Sequence, residues 1–341
     1  MKIVTTTIAR NEEDILEAFV RHHVPFVDRM VIVCHFCQDS SVALLRALQQ
    51  EGLPLELHEL DDPAFVENEF HDFVFDAAAA HDPEWIVPLD ADEFVIATNS
   101  GGVEAAFAIL PEDRVTQLRW RTYVPRPDDD DGEPNVPRRI RWRVDREWGV
   151  KVVVPRALRR RYRIGVAHGH HHVYERDTGA SLPHDQSDAL VLAHYPIRSA
   201  EQFRGKVLGG WPTRRAAPKF TPGNAFHTEL VFAEMAAGAP SAARLEQLAR
   251  TYALRPQDRC EDRLVLDPVP VAFELRHPAE AASAEEVLAA TTMGIAASLS
   301  EARDRLERSP AQRVRRLKRQ IRSIPAKAGR VLREGGLVHR R

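Results

Sequence analysis

The chain has 341 residues, of which 44% are hydrophobic and 28% charged, with a net charge of −3. This composition excludes collagen-like, coiled-coil and globally disordered proteins. No apolar run reaches the roughly 18 to 20 residues of a membrane helix, and the first residues lack the apolar segment of a secretory signal, so we expect a cytoplasmic protein. Three cysteines are too few for a disulfide framework and fit a reducing compartment.

The first hundred residues alternate short apolar segments, typical of buried strands, with amphipathic segments, typical of helices. The predicted strands are 2–9, 29–36, 53–60 and 85–89. Asn11 can cap the first predicted helix, Asp39, Ser40 and Ser41 can start the second, and the third begins at residue 65. This alternation predicts a parallel sheet with helices on both faces, in which ligands bind beyond the carboxyl ends of the strands.

The pattern changes after residue 110. Segments 114–124 and 149–155 are predicted strands of a mixed extension of the sheet. A histidine-rich segment, 168–172, and the apolar strand 190–193 follow, and the last third of the chain is helical in pattern.

Three acids follow the fourth predicted strand, in the sequence Leu-Asp-Ala-Asp-Glu-Phe (89–94). Side chains of an extended segment alternate, so Asp90 and Asp92 share one face. Two ionised carboxylates in a cleft favour a hard divalent cation that also binds phosphates. The alternative interpretation is an acidic turn after a strand.

Four segments together resemble the family 2-like glycosyltransferases, which have the GT-A fold. They are TTIARNEE (6–13), QDSS (38–41), LDADEF (89–94) and HYPIRSAEQFRGK (194–206). The resemblance implies an α/β, GT-A-like fold with a mostly parallel nucleotide-binding sheet, helices on both faces, a mixed-sheet extension and a helical C-terminal part. The implied domains are a glycosyltransferase domain over 1–210, a helical extension over 211–308 and a basic tail over 309–341.

The same resemblance implies roles for individual residues toward a nucleotide-diphosphate sugar and a divalent metal. Asp92 would bind Mn2+ or Mg2+, and His194 would complete the metal shell. Relatives carry a base-binding acid at the end of strand two, whereas here the nearest acid is Asp39, so the nucleotide stays open. The residues placed near the base and ribose are Thr6, Arg10, Asn11, Glu12, Asp39 and Asp90.

The catalytic base is less defined by the sequence. Among the histidines of 168–172, side-chain alternation allows two at most, His168 and His170, to share a site. His170 and Glu175 are the candidate bases, with Asp177 and Glu229 as alternatives. Lys151, Arg204 and Lys206 are candidates for diphosphate binding or for surface ion pairs.

The tail, 309–341, contains eleven Lys and Arg residues and one acid. Apolar residues within it recur at helical spacing, which predicts a basic amphipathic helix. It would pack on the domain or dock on the anionic inner face of a membrane. No aromatic residues interleave with these charges, so we expect no nucleic-acid partner.

Together these features and the resemblance predict a metal-dependent glycosyltransferase whose acceptor is a cell-envelope glycan or glycolipid. The resemblance also implies inversion at the anomeric carbon. Two other hypotheses stay open. One is a histidine-rich metal-dependent hydrolase, and the other is an inactive GT-A-like interaction protein.

Overall fold

The structure is a computed structural model that describes residues 1–63, 67–216, 226–259 and 262–308, except for the side chains of 67–69, 168 and 303–308. The chain divides into one compact unit over residues 1–292 and a second over 293–341. In the second unit, the described residues 293–308 form the end of a helix. The predicted membrane-binding tail lies outside the described residues, and the predicted boundaries at 210 and 308 stay predictions.

The strands of the described residues are short, and most are buried. They are β1 (Ile3–Ala9), β2 (Arg29–His35), β3 (Leu55–Leu60), β4 (Trp85–Pro88), β5 (Glu93–Ala97), β6 (Val115–Thr122), β7 (Trp142–Val144), β8 (Val150–Pro155), β9 (Ile164–Val166), β10 (Val173–Glu175), β11 (His184–His194) and β12 (Leu264–Leu266).

The helices lie between the strands in the first part of the chain and follow one another in the last part. They are α1 (Glu13–His23), α2 (Ser41–Gln50), α3 (Glu67–Ala79), α4 (Gly102–Ala108), α5 (Val136–Arg139), α6 (Arg156–Arg161), α7 (Ala200–Ala216), α8 (Phe226–Ala237), α9 (Ala242–Arg250) and α10 (Ala284–Arg308). Within the described ranges, none of these helices is long and apolar enough to cross a membrane.

Eight strands form one large sheet in the order β3-β2-β1-β4-β8-β6-β11-β5. Strands β3, β2, β1 and β4 are mutually parallel, and β6 and β11 are parallel to each other. Strand β8 is antiparallel to both of its neighbours, and β5 is antiparallel to β11. The predicted fold class, a mostly parallel α/β sheet with surrounding helices, a mixed extension and a helical C-terminal part, is therefore confirmed.

Both faces of the parallel strands are buried. Ile32 of β2 belongs to one core cluster with Phe19 of α1, whereas its neighbour Val31 belongs to another with Phe75 of α3. Successive strand residues point to opposite faces, so covering both faces with helices explains the continuous apolar runs of the sequence.

Two local predictions differ from the structure. Asn11 does not cap α1, because its backbone is left-handed (φ 53°) and its Oδ1 accepts a hydrogen bond from the Gln38 backbone N–H at 2.7 Å. Asn11 thus ties the loop after β1 to the loop after β2. Strand β5 was not predicted, because the acidic segment before it resembles the start of a loop. Its strand pairing depends on β11, about a hundred residues later in the chain.

Candidate functional site

A cavity of about 660 Å3 lies beyond the carboxyl ends of β1 and β4. This volume is in the range of small-molecule sites. Of the ten residues that the sequence predicted for the site, six line the cavity. They are Arg10, Asn11, Glu12, Asp90, Asp92 and His194.

The loop after β1 brings a buried carboxylate to the cavity. Glu12 accepts an ion-paired hydrogen bond from Arg198 at 2.5 Å. Burial raises the pKa of Glu12 to about 7, against the opposing effects of Arg198 and Lys206. Glu12 therefore titrates near neutral pH and can accept or donate a proton there.

Asp90 follows β4 and pairs with a lysine from the mixed half of the sheet. The Lys151 ammonium, 1% exposed, donates to Asp90 Oδ2 at 2.6 Å and lies 3.4 Å from Glu93 Oε1. Burial opposes ionisation of Asp90, but Lys151 outweighs burial and lowers its pKa. Burial dominates at Glu93 instead and raises its pKa to about 8, so of the two carboxyls Asp90 carries the negative charge at neutral pH.

The two oxygens of the Asp92 carboxylate have different surroundings. Oδ2 accepts from Lys206 at 2.6 Å, with Arg198 3.8 Å away. Oδ1 is buried, has no hydrogen-bond donor among the described residues, and lies 3.7 Å from His194 Nε2. Burial again opposes ionisation, but Lys206 and His194 outweigh it and lower the pKa of Asp92.

His194 ends β11, and its ring is held by aromatic stacking. The ring centroids of His194 and Trp120 are 4.4 Å apart. Burial lowers the pKa of His194 to about 4, so the imidazole is neutral at pH 7. Gly149 makes room for this stack, because a Cβ there would lie 2.2 Å from the Trp120 ring.

The Asp92–His194 pair offers two metal ligands. Among the described residues there is no group of three or more His, Cys, Asp or Glu side chains that could hold a metal ion. Mg2+ commonly binds through one or two carboxylates, with substrate phosphates and waters as the remaining ligands, and imidazole also suits transition metals. The orphaned Asp92 Oδ1 beside a neutral imidazole fits such a site, provided that a substrate completes it.

A pair of imidazoles adjoins the lysine pair, and only one of the two histidines was predicted. His170 Nε2 and His71 Nδ1 are 2.6 Å apart, and His170 Nδ1 lies 3.4 Å from Lys151 Nζ. His71, from α3, lines the cavity, whereas His170 is 1% exposed and lies behind the lining. His71 could not be predicted from the sequence, because a single histidine in an amphipathic helix resembles any half-buried residue.

Backbone strain concentrates at the cavity. Asn11 and Ala253 line it with left-handed backbones (φ 53° and 58°), and His170 (φ 59°) contacts its lining. Such conformations cost about 1 to 3 kcal/mol each and cluster at functional sites. Two other described residues, Phe36 (φ 47°) and Asp82 (φ 46°), have left-handed backbones outside the cavity lining, so the strain agrees with a functional cavity but does not by itself identify it.

Besides His170, three predicted residues lie outside the cavity lining. Thr6 is buried inside the sheet, and Asp39 accepts hydrogen bonds from the Glu13 and Ser41 backbone N–H groups. The candidate base Glu175 accepts from the backbone N–H groups of the turn that follows it and lines a separate surface depression.

Residues beyond 210 form an aromatic wall of the cavity. Phe226, His227 and Tyr252 lie there, together with Trp148, whose indole N–H donates to the Tyr252 backbone carbonyl at 3.0 Å. These residues were not predicted from the sequence, because isolated aromatic residues in a helical region usually belong to the core.

No protein-family model and no curated protein matches this chain. Solved structures similar to it include a mannosyltransferase from Pyrobaculum calidifontis in complex with GDP-Man and Mn2+, with 13% identity, 92% of this chain and 82% of that chain covered, and a TM-score of 0.34. A mannose-6-phosphate isomerase from Helicobacter pylori has 10% identity, covers 46% and 72%, and has a TM-score of 0.27. A mannose-1-phosphate geranyltransferase from Thermus thermophilus has 14% identity, covers 78% and 74%, and has a TM-score of 0.26. Similarity this low assigns no function.

Proposed function

We propose that this protein is a metal-dependent glycosyltransferase that moves a sugar from a nucleotide-diphosphate donor to a hydroxyl of a glycan or glycolipid. The observation that carries the proposal is the pair Asp90 and Asp92, which faces the cavity at the carboxyl edge of the sheet. Each carboxylate has a lysine ammonium at 2.6 Å. Acids and cations packed together in a cavity of this size match a ligand that carries hydroxyls, phosphates and a bound cation.

In this proposal the donor lies along the edge of the sheet. Asn11 and Glu12 lie beside the nucleoside, and Asp90 accepts from ribose hydroxyls. The Asp90 side chain is 45% exposed although it pairs with Lys151, so it is accessible to a ligand. The aromatic wall would contact the acceptor.

Asp92 and His194 would hold Mn2+ or Mg2+. Bound there, the metal would neutralise negative charge on the diphosphate leaving group. Lys206 lies 2.6 Å from Asp92 and adds a fixed positive charge at the same place. Positive groups held in position where negative charge develops stabilise a transition state without reorganising during the reaction.

The transfer needs a base that takes the proton of the acceptor hydroxyl. As that oxygen bonds to the anomeric carbon, the bond from this carbon to the diphosphate oxygen breaks, and the configuration inverts. We assign the proton to the His71–His170 pair, since His71 faces the cavity and His170 holds its ring. A base oriented by a second side chain is the usual arrangement of such sites.

The experiment measures the thermal midpoint with UDP, GDP, CDP and dTDP, each with and without Mn2+. A ligand that binds only the folded state raises the midpoint. We expect one nucleotide to do so in a metal-dependent way. This shift should be lost in Asp92→Asn and kept in Asp128→Asn, which alters an exposed aspartate paired with Arg126. Absence of any nucleotide shift in the wild-type protein would contradict the proposal.

We also propose that the tail, 309–341, holds the enzyme at an anionic membrane surface. Its eleven basic residues would contribute about 1 kcal/mol each when close to that surface. Deleting the tail should abolish sedimentation with anionic vesicles and leave nucleotide binding unchanged. Unchanged sedimentation of the truncated protein would show that the tail does not mediate membrane binding.

A further inference from the structure

Three cations at the cavity have carboxylate partners. Lys151 and Lys206 each lie 2.6 Å from an aspartate. Arg198, buried beside them, lies 2.5 Å from Glu12 and 2.7 Å from Asp14. In all three cases the carboxylates outweigh burial and raise the pKa of the cation. These three charges are balanced within the protein.

Arg10 lines the same cavity and differs from these cations. Its guanidinium donates to two hydroxyls, Thr213 Oγ1 at 2.5 Å and Thr291 Oγ1 at 3.4 Å, and lies 5.5 Å from the centre of the Phe36 ring. Among the described residues no carboxylate forms an ion pair with Arg10, and its buried Nε–H has no acceptor. The nearest acid in sequence, Glu12, is paired with Arg198.

The charge of a second cation also acts on Arg10. Burial is the main cause that lowers the pKa of Arg10 to about 10, and the charge of Arg214, which also lines the cavity, lowers it further. Arg10 still carries its proton at pH 7. A half-buried charge that is solvated only by neutral hydroxyls is unfavourable, so the folded protein retains a cost that an anion entering the cavity would relieve.

The surrounding elements hold the half-buried Arg10 side chain in place. Thr213, in α7, also donates to the carbonyls of Gly209 and Gly210 at 3.2 and 2.9 Å, which fixes the hydroxyl that Arg10 contacts. The left-handed Asn11 turns the chain directly after Arg10. The guanidinium is therefore positioned before any ligand binds.

We propose that Arg10, together with Arg214, forms a phosphoryl-binding subsite of the cavity. A guanidinium presents paired N–H donors that match phosphate oxygens, and its weak hydration suits a buried position. Arg10 thus binds phosphate rather than the base or ribose. The phosphoryl group would belong either to the donor diphosphate or to a phosphorylated acceptor. This choice of ligands rests on the proposed function.

The test uses the full chain and inorganic pyrophosphate without metal. We expect pyrophosphate to raise the thermal midpoint of the wild-type protein, with its affinity at least tenfold lower in Arg10→Met and less reduced in Arg10→Lys. The control is Arg46→Met, which alters an exposed arginine paired with Glu59. No shift in the wild-type protein, or an equal shift in Arg10→Met, overturns the subsite.

Stability without ligand separates a binding role from a structural one. Since Arg10 is half-buried and has no carboxylate counter-ion among the described residues, Arg10→Met should have a ligand-free midpoint equal to or above that of the wild-type protein. A structural arginine would give the opposite sign. A markedly lower midpoint together with an unchanged pyrophosphate shift would show that Arg10 only supports the fold.

Two further ligands identify the source of the phosphoryl group. If a nucleoside diphosphate raises the thermal midpoint and Arg10→Met loses this shift, the phosphoryl group belongs to the donor. If glucose 6-phosphate raises the midpoint and no nucleotide does, it belongs to a phosphorylated acceptor. The outcomes also separate the two proposals. Pyrophosphate binding lost in Arg10→Met while no nucleotide binds would refute the proposed donor site and keep the subsite. Nucleotide binding that is lost in Asp92→Asn but kept in Arg10→Met would support the proposed donor site and refute the Arg10 subsite.

Discussion

The parallel half of the large sheet, β3-β2-β1-β4, and the mixed half, β8-β6-β11-β5, contribute different chemistry to the cavity. The parallel half supplies acids, Glu12 after β1 and Asp90 and Asp92 after β4. The mixed half supplies Lys151 from β8 and His194 at the end of β11. Neither half contains a complete site, because Asp90 of the parallel half pairs with Lys151 of the mixed half and Asp92 lies beside His194.

The seam between the two halves is the pairing of β4 with β8. Strand β4 pairs with β8 antiparallel, with Trp85 opposite Pro155 and Ile86 opposite Val154. Continuing this register places Lys151 beside residues 89 and 90, where it meets Asp90 at 2.6 Å. At this edge the parallel strands β1 and β4 end and continue into loops. The antiparallel strand β8 continues past it and places the Lys151 ammonium there.

The largest expected effect comes from breaking that seam. Lys151→Met leaves the Asp90 carboxylate without its counter-ion, and removing one partner of a buried ion pair typically costs about 3 to 5 kcal/mol. We expect about 3 kcal/mol, because the Asp90 side chain is 45% exposed. Urea denaturation measures the change. Adding Asp90→Asn should recover part of the loss, and Arg46→Met, at an exposed pair, should cost under about 1 kcal/mol. A loss below that value in Lys151→Met would show that the seam does not depend on this pair.

The imidazole pair tests whether the two halves also cooperate in proton transfer. His71 belongs to α3, which packs on the parallel half, and His170 contacts Lys151. His71→Ala should lower turnover with the identified donor about 100-fold, the lower end for a lost general base, and leave donor affinity unchanged. His170→Ala should give a similar loss, and the double variant little more. His58→Ala, at a half-exposed histidine of β3, is the control. Additive losses would show that the two rings act separately.

The two halves also differ in how far the sequence predicts them. The first four strands and their helices follow from apolar runs, and the acids of 89–94 follow a strand whose end marks a binding edge. These signals are local. Local signals do not predict the strand order of the mixed half, because β11 inserts between β6 and β5 through pairings of distant segments.

The candidate site shows the same limit. Asp92 and His194 were predicted together only through a family resemblance, although they are 3.7 Å apart in the structure. Lys151 was equally compatible with a surface ion pair, because no pattern near it indicates burial against Asp90. His71 carried no signal at all. Tertiary contacts between elements far apart in sequence, rather than propensity or spacing, determine these positions.

The stack beside His194 provides a sharper test within the mixed half. In Gly149→Ala the new Cβ would lie 2.2 Å from the Trp120 ring, at a left-handed backbone (φ 75°). Overpacking and the φ strain together should cost about 2 to 3 kcal/mol and displace the ring that holds His194. Gly179→Ala isolates the backbone term, because its φ is 72° and no atom lies within 4 Å of the added Cβ. Equal losses in the two variants would mean that the ring contact contributes nothing.

The smallest expected effect is a pH dependence that arises where both halves surround buried acids. Burial raises the pKa of Glu12 to about 7 and that of Glu93 to about 8. The folded state therefore binds more protons than the unfolded state above about pH 4.5, so the free energy of unfolding falls as pH rises toward 8. His194, whose pKa burial lowers to about 4, acts in the opposite direction, but mainly below pH 6.5. Between pH 6.5 and 8 we expect a loss of about 2 kcal/mol, measured by urea denaturation. Glu93→Gln should flatten this slope and Glu59→Gln, at an exposed position, should not. A slope in Glu93→Gln as steep as in the wild-type protein would mean that Glu93 is ionised at neutral pH, and that Lys151 balances two carboxylates rather than one.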